Sequence, residues 1–214
     1  MIFDHNSPEY IRSTEYLGAS RYNGAYYYSR EIVQNIIPNV RTSRNWVTLN
    51  SPGCCFDHSI VFIHNNVNPR LYDWLAGFDD LVLVCGIPST VRKVAHLGRA
   101  VYLPLSIDVE YVRKFERPKD RDVCFAGRKE KARDYSMTVP VIGGVPRDEL
   151  LAEVARYRRC YAVGRCAIEA RALGCEIMFY DQRFRDVDFW RVVDNREAAE
   201  ILQGILDGID GGKA

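Results

Sequence analysis

The sequence predicts an α/β protein built from two small doubly wound parallel-sheet domains that face each other across an interdomain cleft. Continuous apolar runs such as IVFIH (Ile60 to His64), LVLVC (Leu81 to Cys85) and VCFAG (Val123 to Gly127) alternate with stretches of helical pattern. Unbroken apolar strands separated by helices mean a parallel sheet covered on both faces. The alternation occurs twice, before and after the charged, proline-bearing phrase ERPKDRD, which reads as a linker. The clearest single unit is CYAVGRCAIEARALGCEIMFYD, Cys160 to Asp181. It opens as a strand, turns at Gly164, continues as a helix from Arg165 to Leu173 and is stopped by Gly174, where a left-handed residue is wanted. Glu176 to Tyr180 returns as the second strand.

In chain order, residues 1–28 are polar and aromatic with no clean period, and read as a helix or loop covering the surface. The tyrosine run there packs as amphipathic covering or stacks on a base or sugar. A helix follows from Ser29, a suitable N-cap, to Ile37, ended by Pro38. Strands are expected at Trp46 to Leu49, Ile60 to His64, Leu81 to Cys85 and Val101 to Leu105, with helices at Pro69 to Ala76 and Ser89 to Leu97. A short helix from Val109 to Phe115 leads into the linker. After it come the strand VCFAG, an Arg/Lys-rich polar segment, a strand from Val139 to Ile142, and a helix from Asp148 to Tyr157. The βαβ unit, a short strand from Arg191 to Val193 and a helix from Arg196 to about Leu206 complete the chain. The expected division is therefore 1–108, a linker at 109–121, and 122–214.

Composition narrows the function classes. In 214 residues, 29 Lys and Arg face 28 Asp and Glu, a net charge of +1, which argues against a dedicated nucleic-acid binder or a basic membrane-surface protein. Basic residues nevertheless crowd the stretch from Arg113 to Arg171, which suits a phosphate-bearing ligand or a solvated helix face. The cysteines number seven, an odd count, and several sit in or at the end of strand-like runs, as buried thiols of a reducing compartment do. No CxxC pair occurs, and Cys160, Cys166 and Cys175 lack zinc-ligand spacing, so no metal site is expected. No apolar run is long enough to span a bilayer, and Asp4, His5 and Glu9 interrupt any signal-peptide pattern. A cytoplasmic protein is expected.

Ligands of open α/β sheets bind beyond the carboxyl ends of the strands, which nominates particular residues. Gly127, Arg128 and Lys129 follow one strand and suit a diphosphate, the glycine giving backbone access and the cations neutralising charge. Gly144 follows the next. Gly164 and Arg165 open a helix whose first turn offers N–H groups and positive charge to an anion. Glu169, one turn further on, can accept hydrogen bonds from sugar hydroxyls. A plain βαβ unit with a solvated Glu and Arg is the competing reading. His64 ends an apolar strand and is a candidate general base, with Asp57 and His58 as the rival pair. Ser-His-Asp ordering, a Walker loop and GxGxxG are all missing, which weighs against hydrolase, P-loop and dinucleotide readings.

The order LPLSIDVEYVRKF, VCFAGRK, then VIGGVPRDELLAEVARYRRCYAVGRCAIEARALGCEI resembles the nucleotide-sugar half of GT-B glycosyltransferases, especially the large group 1 retaining family. The hinge phrase of that family matches Leu103 to Asp108, its GR turn matches Gly127 and Arg128 with Lys129 or Lys131, and its EA-x-A-x-G helix matches Glu169 to Ile177. The resemblance covers roughly residues 101–180. It implies two Rossmann-like domains in a minimal GT-B arrangement and a sugar transferred from a nucleoside diphosphate, UDP foremost, without metal or other cofactor. Glu169 would hold the ribose hydroxyls, and Arg128 with a nearby lysine the diphosphate. The family's other glutamate, eight residues earlier, falls on Tyr161. RYNGAYYYSREIV and VFIHNN are similar to phrases in glycosyltransferase-like proteins of bacteriophages or prophages, and a phage-encoded protein would work in a host cytoplasm. The acceptor is open among a DNA base, a glycan and a protein, and so is a homodimer. A binding protein of the same fold without turnover is the alternative.

Overall fold

The computed structural model describes residues 2–3, 24–47, 57–63, 73 and 75–211. It contains two all-parallel sheets, one of five strands and one of four. The chain groups into two compact units, residues 1–18, 29–105 and 196–214 in the first and residues 19–28 and 106–195 in the second. A boundary drawn in chain order differs from this in two places. The residues read as a linker, 109–121, belong wholly to the second unit, and the last helix returns to the first.

In the first unit the strands are β1 (Ile2–Phe3), β2 (Asn45–Val47), β3 (Ser59–Ile63), β4 (Val82–Cys85) and β5 (Arg99–Tyr102), in the order β1-β2-β3-β4-β5. Every residue of β3 and β4 is buried, as the unbroken apolar runs require. One face packs Val47, Val61, Ile63, Leu83 and Cys85 with Leu75 and Val94. The opposite face stacks Trp46 on Phe62, with ring centroids 6.2 Å apart. The strand order is sequential, so this sheet contains no reversal among the described residues. Strand β1 was not legible, because a two-residue element has no period to read.

Helix α1 (Gly24–Glu31) starts before Ser29 and continues through a π turn, Ile32–Ile36, and a 3₁₀ turn, Ile37–Asn39. Ser29 therefore lies inside the helix, fully buried, and Pro38 enters the 3₁₀ turn at a position where no backbone donor is needed. Helix α2 (Pro88–Val94) has proline in its first turn. The helix expected from Pro69 to Ala76 lies mostly outside the described residues.

In the second unit helix α3 (Val109–Arg113) is capped by Asp108, whose carboxylate accepts the Tyr111 N–H at 2.8 Å. Then follow β6 (Arg121–Ala126), α4 (Lys129–Asp134), β7 (Val141–Ile142), α5 (Arg147–Val154), β8 (Tyr157–Tyr161), α6 (Arg165–Ala172) and β9 (Glu176–Met178). The Arg/Lys-rich segment is thus a helix, with Glu130 in its first turn and Arg133 in its last, the arrangement the helix dipole favours. Residues 191–193 form no strand. An isolated parallel bridge joins Ile107 to Asp194 instead, and it ties the two ends of the second unit's main segment together. Helix α7 (Asn195–Asp210) follows.

The four strands run in the order β7-β6-β8-β9. From β6 the chain moves outward to β7, and from β8 it moves outward the other way to β9. The strand order therefore reverses between β6 and β8, the hallmark of double winding. Helix α6 ends as its sequence predicts: Gly174 has φ 77, its N–H bonds to Arg171 O at 2.9 Å, and the Cys175 N–H bonds to Ala170 O at 2.9 Å. This is the paired-bond glycine stop.

Two glycines set the geometry beside the reversal. Gly164, at φ 64, connects β8 to α6. Gly143, after β7, has no room for any side chain, because a Cβ there would stand 1.8 Å from the Gly127 carbonyl oxygen. Gly143→Ala is expected to lower stability by about 2 kcal/mol through overpacking, and Gly174→Ala by about 1 kcal/mol through left-handed strain. Urea unfolding midpoints check both.

Candidate functional site

The crevice outside a strand-order reversal is where a parallel sheet leaves its loop ends splayed for a ligand. Here it lies between the carboxyl ends of β6 and β8. Gly127 and Arg128 leave β6, and Gly164 and Arg165 leave β8. Arg165 occupies the first position of α6, where backbone N–H groups have no partner within the helix. Four of the residues nominated from sequence are therefore at the reversal.

Glu169 stands one turn along α6 and is 3% exposed. It does not stand alone. Arg165 Nε donates to its Oε1 at 2.7 Å, and Arg147 Nε lies 3.0 Å from the same oxygen. Arg147 begins α5, and its guanidinium sits over the rings of Tyr27 (5.4 Å) and Tyr111 (5.2 Å). The Tyr111 hydroxyl in turn donates to Asp148, and burial with that carboxylate pushes the phenol up to about 12. The sequence reading treats Glu169 as an open acceptor for sugar hydroxyls. The structure gives its Oε1 to two buried arginines.

The lysines after β6 diverge because positions two apart on a helix face opposite ways. Lys131 is half-buried, and burial together with Arg128 and Arg183 lowers its ammonium pKa. Arg165, Lys131, Arg147 and Glu169 all act electrostatically on Cys166, which marks them as one neighbourhood. Lys129, by contrast, extends along Gly144 and lines a shallow depression with Arg133, Met137 and Val141. Lys131, not Lys129, belongs with Arg128. Gly144, at φ 71, borders Lys129 as well.

Beyond β9, Asp181 is 1% exposed and grips Arg183 at 3.0 and 2.6 Å. Those bonds hold its carboxyl below the ordinary range. Tyr180 packs edge-on against Phe125 and Tyr135, at 5.1 and 5.0 Å. The whole neighbourhood carries Arg128, Lys131, Arg147, Arg165 and Arg183 against Glu169 and Asp181. Arg147 and Arg183 were missed in the sequence. Arg147 had a readable signal, since VIGGVPR places an arginine at a helix start after a strand-end glycine pair, just as VGR does.

His64 lies outside the described residues. Asp57 and His58, read from sequence as a carboxylate–imidazole pair on a loop, precede β3 and so stand at the amino edge of the first sheet. They do not pair with each other. Asp57 Oδ1 accepts the Asp79 N–H at 2.8 Å, while His58 Nδ1 lies 2.7 Å from Asp80 Oδ2.

Among the described residues no group of three or more His, Cys, Asp or Glu side chains is placed to hold a metal ion. Cys85, Cys124, Cys160, Cys166 and Cys175 are free thiols. No described helix is long and apolar enough to cross a membrane. No protein-family model matches the chain, and no curated protein matches it.

Glu169 is a buried carboxylate held by Arg147 and Arg165, so deleting it removes an ion-pair partner from both. Glu169→Ala is expected to cost about 3 to 5 kcal/mol, read from urea unfolding. Joint replacement of Arg165 and Glu169 by methionine is expected to recover part of the loss.

Proposed function

We propose that the second unit binds a nucleoside-diphosphate sugar at the β6/β8 reversal and that the chain is a glycosyltransferase. The observation supporting this most directly is that Arg128 and Lys131 follow one strand end of that reversal, with glycines at both strand ends that let a ligand approach the backbone. Arg128 and Lys131 hold the diphosphate, and their charge stabilises the nucleotide as it leaves, a task that bound cations perform in other sites. Arg165 adds a charged donor at the start of α6. Both arginine contacts to Glu169 fall on Oε1, which leaves Oε2 to accept from the ribose. UDP is the first nucleotide to try, and the acceptor is a glycan, a protein or a DNA base.

A binding protein without turnover is the second reading. Tyr161, the last residue of β8, stands where a transferase of the resembling family carries a carboxylate for the donor sugar. Nucleotide release from a UDP-sugar separates the two readings.

Titration calorimetry with UDP and GDP tests the binding site itself. Arg128→Ala and Lys131→Ala are each expected to weaken UDP binding about tenfold, or about 1.4 kcal/mol. Failure of every nucleotide to bind would falsify the site. The pH dependence has a definite sign. Above about pH 8 the terminal phosphate is already fully ionised, so on the protein side the loss of the lowered Lys131 proton weakens binding. Affinity should fall as pH rises there, and Lys131→Met should make the fall shallower.

A further inference from the structure

We propose that Ser43, His58 and Asp80, at the amino edge of the first sheet, form a nucleophilic serine site for acyl esters, independent of the nucleotide site. The three residues lie just before β2, β3 and β4 and supply the Ser-His-Asp set that the sequence reading did not find, because strand pairing and not a local motif brings them together. Ser43 Oγ is 3.2 Å from His58 Nε2, and His58 Nδ1 is 2.7 Å from Asp80 Oδ2.

The proton positions follow from these contacts. An ionised carboxylate only accepts hydrogen bonds, so Asp80 places the ring proton of a neutral His58 on Nδ1. Nε2 is then an acceptor, and the Ser43 hydroxyl donates to it. That is the arrangement a base needs to take a proton from a serine hydroxyl, with the third group fixing the tautomer.

Asp80 is itself held in place. Arg44, 2% exposed, donates from Nη1 to the Asp80 carbonyl at 2.9 Å and from Nη2 to its carboxylate at 3.3 Å. Asp210 anchors that guanidinium from α7 at 2.7 Å. A second observation concerns the backbone. The described residues other than glycine with left-handed φ are His58 (56), Asp80 (53) and Ser136 (50), so two of the three belong to this group. Strained backbone of this kind persists where surrounding contacts over-determine it and gathers at reactive sites. Ser43 is exposed and the His58 side chain is 41% exposed, so a substrate can reach both.

In the reaction, Ser43 Oγ attacks the ester carbonyl carbon while its proton passes to His58 Nε2. The carbonyl carbon to alkoxy oxygen bond then breaks, and the leaving alkoxide takes that proton. Water repeats the sequence on the acyl-serine, releasing the acid and restoring the hydroxyl.

The test treats the full chain with a fluorophosphonate, which forms a phosphorus–Oγ bond as fluoride departs, and locates the adduct by peptide mass spectrometry. The expected adduct is on Ser43, absent in Ser43→Ala, and formed at least about a hundredfold more slowly in His58→Gln. With p-nitrophenyl acetate the wild-type chain should show a burst of p-nitrophenolate that Ser43→Ala lacks. The proposal is overturned if Ser43 in the folded chain reacts no faster than in the urea-unfolded chain, if the adduct forms elsewhere, or if His58→Gln reacts at the wild-type rate. Mapping on the unmodified chain makes the result independent of whether any variant folds.

Discussion

The second unit depends on one buried carboxylate between two buried guanidinium groups. A charge removed from water is tolerated only with a counter-ion at contact distance, so Glu169 obliges Arg147 and Arg165 to converge on it. That requirement links α5 to α6 and, through the tyrosines stacked on Arg147, also involves α1 and α3. The convergence takes place beside the β6/β8 reversal. Arg128 and Lys131 stand in the same neighbourhood, Arg128 acting electrostatically on the Lys131 ammonium.

Glycines make this convergence sterically feasible. The Gly127 carbonyl occupies the space a side chain at 143 would take, so the loops after β6 and β7 lie in direct backbone contact. Gly164 turns through a conformation unfavourable to other residues and delivers Arg165 into the first turn of α6. The opposite kind of edge is found in the first unit. At the amino ends of its strands Arg44 binds Asp80, Asp57 accepts from the Asp79 N–H, and the histidine is held between a serine and a carboxylate.

Much of the fold was readable because burial on both sheet faces leaves uninterrupted apolar runs. IVFIH, LVLVC and VCFAG became β3, β4 and β6 with small shifts at their ends. The glycine stop at Gly174 was equally plain, since few other residues adopt its φ. Strand β1 and the true start of α1 were not readable, the first being too short and the second lacking apolar spacing. The phrase ERPKDRD misled for a specific reason. Its charges are neutralised locally, Asp120 by Arg156 and Arg121 by Glu153, and Lys119 donates to the Leu173 carbonyl, so the segment is docked, not free.

From sequence alone followed two parallel sheets, the βαβ unit from Cys160 to Asp181, and the nomination of Gly127, Arg128, Gly164, Arg165 and Glu169, because each rests on local spacing or on the conformational demands of one residue. Only the tertiary structure decided what Glu169 touches, which lysine joins Arg128, and that His58 answers to Asp80 in place of its neighbour Asp57. Those outcomes depend on strand order and on residues brought together from distant parts of the chain, and local periodicity carries no record of either.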